Sequence, residues 1–242
     1  MNIGREGLAA SVLALGYALA GAFYWALLNV PESNALALVL SALLVLSIVV
    51  TGAATTAGAI VLGRGTAPED GHHLGAAIGG FVLGLAIFAA LCAMTGETDA
   101  WWGAHRGEID ALFLRYGGST RTGWLHQSES WLSFLLRWAL GLSVIAALAA
   151  AGARSGTRGL PHGLRAAVRL APLAATIAGV LIVSEVVWRL AYWRPRRLPP
   201  TWMEPAFVAI KLAVLYGLAI AIAAGVLSVH RRVFHQPTRS SG

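Results

Sequence analysis

The sequence predicts an all-α fold: a polytopic membrane bundle of six transmembrane helices plus one interfacial amphipathic helix. Two observations come from composition. Hydrophobic residues make up 57% of the 242 residues, and charged residues make up only 12%, against roughly 25% in a typical soluble domain. The third observation is that the apolar residues lie in six long runs. Because these runs take up most of the chain, we expect a single integral membrane domain over residues 1–242.

Each apolar run is long enough to cross a membrane, because a helix rises ~1.5 Å per residue and the hydrocarbon layer is ~30 Å thick. The first run is too long for the core of a signal peptide, so we expect it to be retained as a helix. The second run is the longest, and its polar centre at 51–56 favours a tilt or bend. The predicted spans are 7–29, 35–62, 74–95, 131–152, 168–190 and 206–229.

The link at 96–130, between the third and fourth spans, is the longest one and predicts an additional helix. From Asp99 to Tyr116 the apolar and charged residues are spaced so that they fall on opposite faces of a helix. A helix of this kind lies in the plane of the membrane interface. Its expected apolar residues are Trp101, Trp102, Ile109, Leu112, Phe113 and Tyr116.

Glycines at four-residue spacing indicate close helix packing in the third span. Gly75 with Gly79, and Gly80 with Gly84, each form a Gly-x-x-x-Gly pattern. Glycine lets two helix backbones approach closely in a membrane, where dispersion and weak hydrogen bonds hold helices together. Packing within the bundle is the favoured interpretation, and an oligomer interface is the alternative.

The tryptophans mark one side of the membrane. Indole rings prefer the headgroup zone, and membrane proteins usually carry them at both interfaces. Here all nine lie near the first, third and fifth links, which six spans place on the same side. We therefore expect any functional site at this tryptophan-rich face. The residues are Trp25, Trp101, Trp102, Trp124, Trp131, Trp138, Trp188, Trp193 and Trp202.

Arginine counts give a weak preference for orientation. Nine arginines lie on the side of the two termini and eight on the tryptophan side. Three of the eight belong to the long 96–130 link, and long links count less in the positive-inside rule. We therefore expect cytoplasmic termini, an exoplasmic tryptophan face and a location in a cell membrane, the inner membrane of a prokaryote.

Four ionisable residues lie inside or near the predicted spans, where charge is costly and usually faces a partner or a wet cavity. Glu185 and Arg189 are four residues apart and can pair on one helix face. Lys211 lies at a comparable depth in the next span, and Arg137 in the fourth. These residues form either a site for an anionic ligand, an ion or a proton, or simple charge pairs with arginine and lysine reaching toward the headgroups.

The link after the fifth span combines arginines, prolines and tryptophans. Arg194, Arg196 and Arg197 would lie at one headgroup plane, between Trp193 and Trp202. Guanidinium groups bind phosphate and carboxylate well. The segment is expected to contact anionic headgroups or to bind an anionic ligand.

Two His-Glu pairs in the long link are the weak candidates for catalysis. His105 with Glu108, and His126 with Glu129, repeat a three-residue spacing, and Glu204 lies on the same side. They could act as general acid and base on a lipid-linked substrate. Such pairs also suit a divalent metal, but they arise easily by chance in a polar link. We therefore predict no metal site and no cofactor.

The function expected from these features is that of a transport-related or structural subunit of a membrane complex, with a polar and aromatic site toward the exoplasmic face. The alternative is a membrane-embedded enzyme acting on a lipid or lipid-linked substrate. No compact catalytic motif occurs in a suitable context, which favours the first class. Expected partners are the bilayer, anionic phospholipids, other membrane subunits and a cytoplasmic protein at the basic 153–169 link. Nucleic acid is not expected.

Overall fold

The computed structural model describes residues 3–31, 35–62, 71–117, 123–193 and 203–235. Regular structure in these ranges is helical, and six helices are long and apolar enough to cross a membrane. The all-α class is therefore confirmed, and the helices are compatible with an integral membrane protein. They are α1 (Ile3–Leu28), α2 (Ala35–Leu62), α3 (Gly71–Ala104), α4 (Arg106–Gly117), α5 (Gly123–Phe134), a π-helical segment (Leu135–Leu140), α6 (Gly141–Ser155), a 3-10 turn (Gly156–Gly159), α7 (Leu160–Ala167), α8 (Leu170–Tyr192) and α9 (Met203–His235).

The long helices form antiparallel hairpins. In the first hairpin, Tyr17 on α1 and Thr56 on α2 share a hydrogen bond of 2.9 Å between their hydroxyl oxygens. In the last hairpin, Lys211 near the start of α9 contacts Trp193 just after the end of α8. This chain direction brings the C-terminal ends of α1, α3 and α8 to one end of the bundle. The eight described tryptophans lie in these ends or in the early part of the fourth long helix, beside them.

The central helix is α6, whose residues 143–153 are all buried. Two glycines of α3, Gly80 and Gly84, lie directly against its backbone. A Cβ atom added at Gly80 would lie 2.4 Å from the Leu148 carbonyl oxygen, whereas one added at Gly79 would meet no atom within 4 Å. The second Gly-x-x-x-Gly pattern, formed by Gly80 and Gly84, therefore lies where α3 packs against α6 within the chain.

We expect Gly80→Ala to destabilise the bundle, because the new methyl group would force α3 away from α6. An overpacked contact of this kind costs ~1 kcal/mol or more. The matched control is Gly79→Ala, which adds the same methyl group to open space on the same helix. Thermal unfolding of the purified protein should give a lower Tm for Gly80→Ala and an almost unchanged Tm for Gly79→Ala. Equal values for the two variants would contradict this packing.

The boundaries on either side of the long link differ from the prediction. Helix α3 continues to Ala104, so Asp99 belongs to the third span helix and not to the interfacial helix. The chain turns at His105, and α4 covers only the second part of the predicted amphipathic helix. The fourth long helix begins at Gly123, eight residues before the predicted start, because α5 runs without interruption into the π-helical segment and α6. Apolar side chains of α4 remain exposed, as expected for an interfacial helix, and include Leu112, Leu114 and Tyr116.

The short helix α7 folds back along α6. Ser143 donates a hydrogen bond of 2.7 Å from its hydroxyl to the Ala167 carbonyl at the end of α7. The same hydroxyl oxygen lies 3.2 Å from Nε2 of His230 on α9, and Nδ1 of that ring lies 2.9 Å from the Val226 carbonyl oxygen. His230 is fully buried. This polar contact fastens α7 and α9 to the central helix.

Candidate functional site

A cluster of polar side chains lies between the last turns of α3 and the first half of the fourth long helix. On α3, Thr95 and Asp99 are four residues apart. On the facing helix, Glu129, Ser133 and Arg137 follow one another at the same interval. Residues at this spacing lie on one face of a helix. The two rows face each other because α3 and the fourth long helix pack antiparallel along their length.

Asp99 is the centre of the cluster, and both of its carboxylate oxygens accept hydrogen bonds. Ser133 donates its hydroxyl hydrogen to Oδ1, with 2.5 Å between the oxygens. Arg137 donates from Nη2 to Oδ2 at 2.8 Å. The Nε hydrogen of Arg137 goes to the Thr95 hydroxyl at 3.0 Å, and Thr95 donates in turn to the Leu91 carbonyl. Two donors of the guanidinium group are thus committed within the protein.

Glu129 is the carboxyl group of the cluster that lacks a strong hydrogen-bond donor among the described residues. Its oxygens lie 3.4 Å from the Ser133 hydroxyl and 3.5 Å from the Ser130 hydroxyl, at the long limit of hydrogen bonding. Ser133 has only one hydroxyl hydrogen, and the shorter bond to Asp99 uses it. Among the described residues, no arginine or lysine nitrogen lies within 4.0 Å of Glu129.

The charges of the cluster therefore do not balance. Asp99 and Glu129 contact each other through their carboxyl groups, and among the described guanidinium groups that of Arg137 alone pairs with one of them. With all three ionised, the cluster has one negative charge in excess. Two adjacent carboxyl groups favour the uptake of a proton or of a cation between them.

A cavity of about 450 Å³ opens beside this cluster, at the tryptophan-rich end of the bundle. Its size falls in the range of known ligand sites, roughly 300–1,000 Å³. Indole rings and charged groups of both signs form its wall. The lining residues are Asp99, Trp102, Gly103, Arg106, His126, Glu129, Ser130, Ser133, Phe134, Arg137 and Trp138.

A second cavity, of about 410 Å³, lies deeper between the helices and is almost wholly apolar. Residues of α1, α2, α3, α6, α8 and α9 contribute to it. Phe134 and Trp138 line both cavities and so stand between them. Trp138 belongs to the π-helical segment, and such segments often occur at functional sites.

His126 is held on both sides of its ring, which is buried. Its Nδ1 accepts a hydrogen bond of 2.9 Å from the indole nitrogen of Trp102, and its Nε2 lies 2.8 Å from Oδ1 of Asp110. Because the indole N–H can only donate, Nδ1 carries no hydrogen and Nε2 donates to Asp110. This residue joins α3, α4 and α5 and supports the wall of the cavity.

The other predicted catalytic candidates do not come together at the cavity. His105 lies in the turn after α3, where its Nδ1 is 2.8 Å from the Trp101 carbonyl oxygen and its ring stacks on the indole at 4.6 Å. Glu108 is exposed on α4 and does not line the cavity. Glu204 lies in the first turn of α9, and its side chain falls outside the described part of the chain.

The four predicted intramembrane charges separate into three places. Arg189 donates from Nε to Glu185 at 2.7 Å, and both side chains are largely exposed, at 77% and 59%. Lys211 donates to the carbonyl oxygens of Leu190 and Trp193, at the C-terminal end of α8. Arg137 belongs to the Asp99 cluster. The spacing argument for Glu185 and Arg189 thus holds, whereas the four residues do not form one group.

Of the predicted headgroup-binding residues, only Trp193 is described. Its ring packs on Phe207 at 5.0 Å, and the ammonium group of Lys211 lies over both rings. Arg194, Arg196, Arg197 and Trp202 lie outside the described residues.

Comparison of this chain with known protein families, with curated proteins and with solved structures finds no match. The site therefore has to be interpreted from its own chemistry. Within the described ranges, no three histidine, cysteine, aspartate or glutamate side chains are arranged as ligands of a metal ion.

Proposed function

We propose that this chain is a transport-related membrane protein that receives its ligand in the cavity beside Asp99, Glu129 and Arg137. The observation that carries the proposal is the charged cluster itself, which lies between two helices that are long and apolar enough to cross a membrane. Ionisable groups within such helices are costly, and they usually mark substrate or ion pathways. A purely structural pair would need Asp99 and Arg137 alone. The additional carboxylate of Glu129 faces a cavity large enough for a ligand.

The enzyme alternative receives less support from the same geometry. Both ring nitrogens of His126 are occupied, by Trp102 and Asp110, so the ring cannot exchange a proton with a ligand unless one of these bonds breaks. His105 and Glu108 lie away from the cavity. Glu129 remains as a single acid or base among the described residues of the cavity. Of the two serines beside it, Ser133 donates its hydrogen to Asp99 and Ser130 donates to the His126 carbonyl, so Glu129 activates neither hydroxyl as a nucleophile.

The setting we propose is the inner membrane of a prokaryote, with both termini in the cytoplasm and the cavity open to the exoplasmic side. The opposite end of the bundle then carries the proposed docking surface for a membrane subunit or a cytoplasmic partner at 153–169. Its arginines Arg154, Arg158 and Arg165 are exposed on α6, the 3-10 turn and α7. Such a basic surface also suits anionic phospholipids.

Reconstitution into liposomes tests the transport proposal. Vesicles with and without the protein are incubated with a mixed pool of ions, amines, carboxylates and amphiphiles, and their contents are then compared by mass spectrometry. We expect at least one solute to accumulate only with the protein, and its accumulation to fall at least tenfold in Glu129→Gln, a loss of about 1.4 kcal/mol in transition-state stabilisation. The pH gradient across the vesicles is varied because the carboxyl pair can carry a proton.

The control variant is Glu185→Gln, which removes a carboxylate from an exposed pair on α8 without touching the cavity. It should transport like the wild type. If no solute enters the vesicles above the protein-free level, with either direction of the pH gradient, the transport proposal fails. If a solute is transported equally well by Glu129→Gln, the assigned site is wrong.

A further inference from the structure

The two adjacent cavities define the chemistry of the ligand more narrowly. Building on the proposed function, we propose that the site binds an amphiphile with an ammonium head and an apolar tail. The head would lie against Glu129, and the tail would pass Phe134 and Trp138 into the apolar cavity between the helices.

Beside Glu129, the polar cavity suits a cation better than an anion. Arg137 already donates hydrogen bonds to Asp99 and Thr95, so the Asp99 carboxylate largely neutralises its charge. Glu129 has no cationic partner among the described residues. The indole rings of Trp102 and Trp138 also line this cavity, and aromatic faces attract ammonium groups. Carboxylate and indole together are therefore the recognition elements for the head.

The apolar cavity suits a hydrocarbon tail. Its wall consists mainly of aliphatic and aromatic side chains, such as Leu13, Phe81 and Ile145. The hydroxyl groups of Tyr17 and Thr56 bond to each other. Thr176, also in the wall, donates its hydrogen to a backbone carbonyl of α8. These three hydroxyl groups therefore do not require a polar ligand, and Ser184 is the remaining hydroxyl residue that lines this cavity.

The two cavities are placed so that one molecule can occupy both. Phe134 and Trp138, one helical turn apart, belong to both walls. Trp138 and Leu142 are also about 40% exposed, at 43% and 39%, so the apolar cavity reaches the outer surface of the bundle beside the π-helical segment. A tail can enter from the bilayer at this point while the head stays at the tryptophan-rich end.

Arg106 bears on whether the ammonium head can also carry a phosphate group. It lines the polar cavity, and no described carboxylate lies within 4.0 Å of its guanidinium group. A phosphate attached to the ammonium group would meet Arg106. The ammonium chemistry therefore fits two sources: a zwitterionic lipid headgroup, or a free long-chain amine without phosphate.

The test measures binding of dodecyltrimethylammonium to the full chain held in a detergent-free polymer, by equilibrium dialysis. We expect saturable binding that is at least tenfold weaker in Glu129→Gln and unchanged in the control Glu185→Gln. Tetramethylammonium, which has the head alone, should bind at least tenfold more weakly. Dodecyl sulfate has the tail with the opposite charge and can meet Arg106, so it is measured on Arg106→Gln, where it should bind at least tenfold more weakly than dodecyltrimethylammonium. Equal binding of the two dodecyl compounds by Arg106→Gln, or full binding of dodecyltrimethylammonium by Glu129→Gln, would overturn the proposal.

Filling the apolar cavity separates the role of the tail from that of the head. Val180 lines the cavity, and Val187 lies on the same helix outside it. We expect Val180→Phe to weaken binding of the dodecyl compound about tenfold while shorter alkyl chains are less affected, and Val187→Phe to leave both unchanged. Melting curves show whether each variant is folded; if Val180→Phe is unfolded, Ala223→Leu takes its place. Unchanged chain-length preference in a folded, filled variant would contradict the tail assignment.

Competition distinguishes the two sources. If short-chain phosphatidylethanolamine displaces the dodecyl compound and Arg106→Gln weakens that displacement, the natural ligand class is a zwitterionic lipid. If it does not compete, the class is a free long-chain ammonium. Transport of an unrelated solute through Glu129, without binding of the dodecyl compound, would refute the amphiphile and leave the proposed function intact. Binding of the dodecyl compound without transport of any solute would refute the proposed transport function and leave the amphiphile-binding site intact.

Discussion

Replacing Arg137 with methionine is expected to destabilise the protein more than any other single change in the polar cluster. The substitution keeps the apolar stem but leaves Asp99 and Glu129 as adjacent carboxyl groups with no cation of the described part of the chain paired to them. Removing one member of a fully buried ion pair typically costs about 3–5 kcal/mol. Asp99 is 40% exposed and Arg137 29% exposed, so water screens part of this effect. We therefore expect a loss of about 2 kcal/mol in the free energy of unfolding.

A double-mutant cycle measures the coupling directly. The variants are Arg137→Met, Asp99→Asn and the two combined, each unfolded by heat or by titration with a denaturing detergent. The combined variant should be less destabilised than the sum of the single variants, by at least ~1 kcal/mol. Arg137→Lys should fall between wild type and Arg137→Met, because an ammonium group keeps the charge but not the forked geometry. Additive effects of the single variants would mean that the pair contributes no coupling.

The helical architecture follows from hydrophobicity alone, but the lengths of the helices do not. A run of apolar residues predicts a span, and the third apolar run ends at Thr95, where polar and charged residues begin. The helix continues nonetheless to Ala104, because Asp99 and Trp102 on its last turns find partners on the fourth long helix. Those partners lie 24 and 34 residues further along the chain. A local pattern cannot reveal such contacts, although the four-residue spacing of Glu129, Ser133 and Arg137 is visible in the sequence.

The charged residues near the end of α8 also show which contacts a local sequence pattern can reveal and which it cannot. Glu185 and Arg189 pair as their spacing predicts, since both lie on one helix. Lys211 instead contacts backbone carbonyls of Leu190 and Trp193. The last carbonyls of a helix lack partners within the helix and readily accept hydrogen bonds from a cation. Which side chain reaches them depends on how α8 and α9 cross, and composition and depth do not determine that crossing.

The π-helical segment at Leu135–Leu140 is the feature least accessible from sequence, and it provides the second large prediction. A π turn closes hydrogen bonds over five residues instead of four and so holds one extra residue in an otherwise α-helical chain. In this segment, Arg137 pairs with Asp99 and Trp138 lines both cavities. Deleting Leu136, which is 38% exposed, should convert the segment into a regular α-helix. The contacts of α6 with α3 on one side, and of Ser133 with Asp99 on the other, can then persist.

We therefore expect the Leu136 deletion to keep the fold while it abolishes binding at the cavity. The Tm should change by only a few degrees, because the lost Arg137 contact is partly offset by more regular backbone hydrogen bonds. Binding of the dodecyl compound should fall more than tenfold, because Arg137 and Trp138 each move by one helical position. The matched control is deletion of Leu148, which lies in α6 against Gly80 and should prevent folding by shifting the register of the central helix. A Leu136 deletion that binds normally would show that the wide turn has no part in the site.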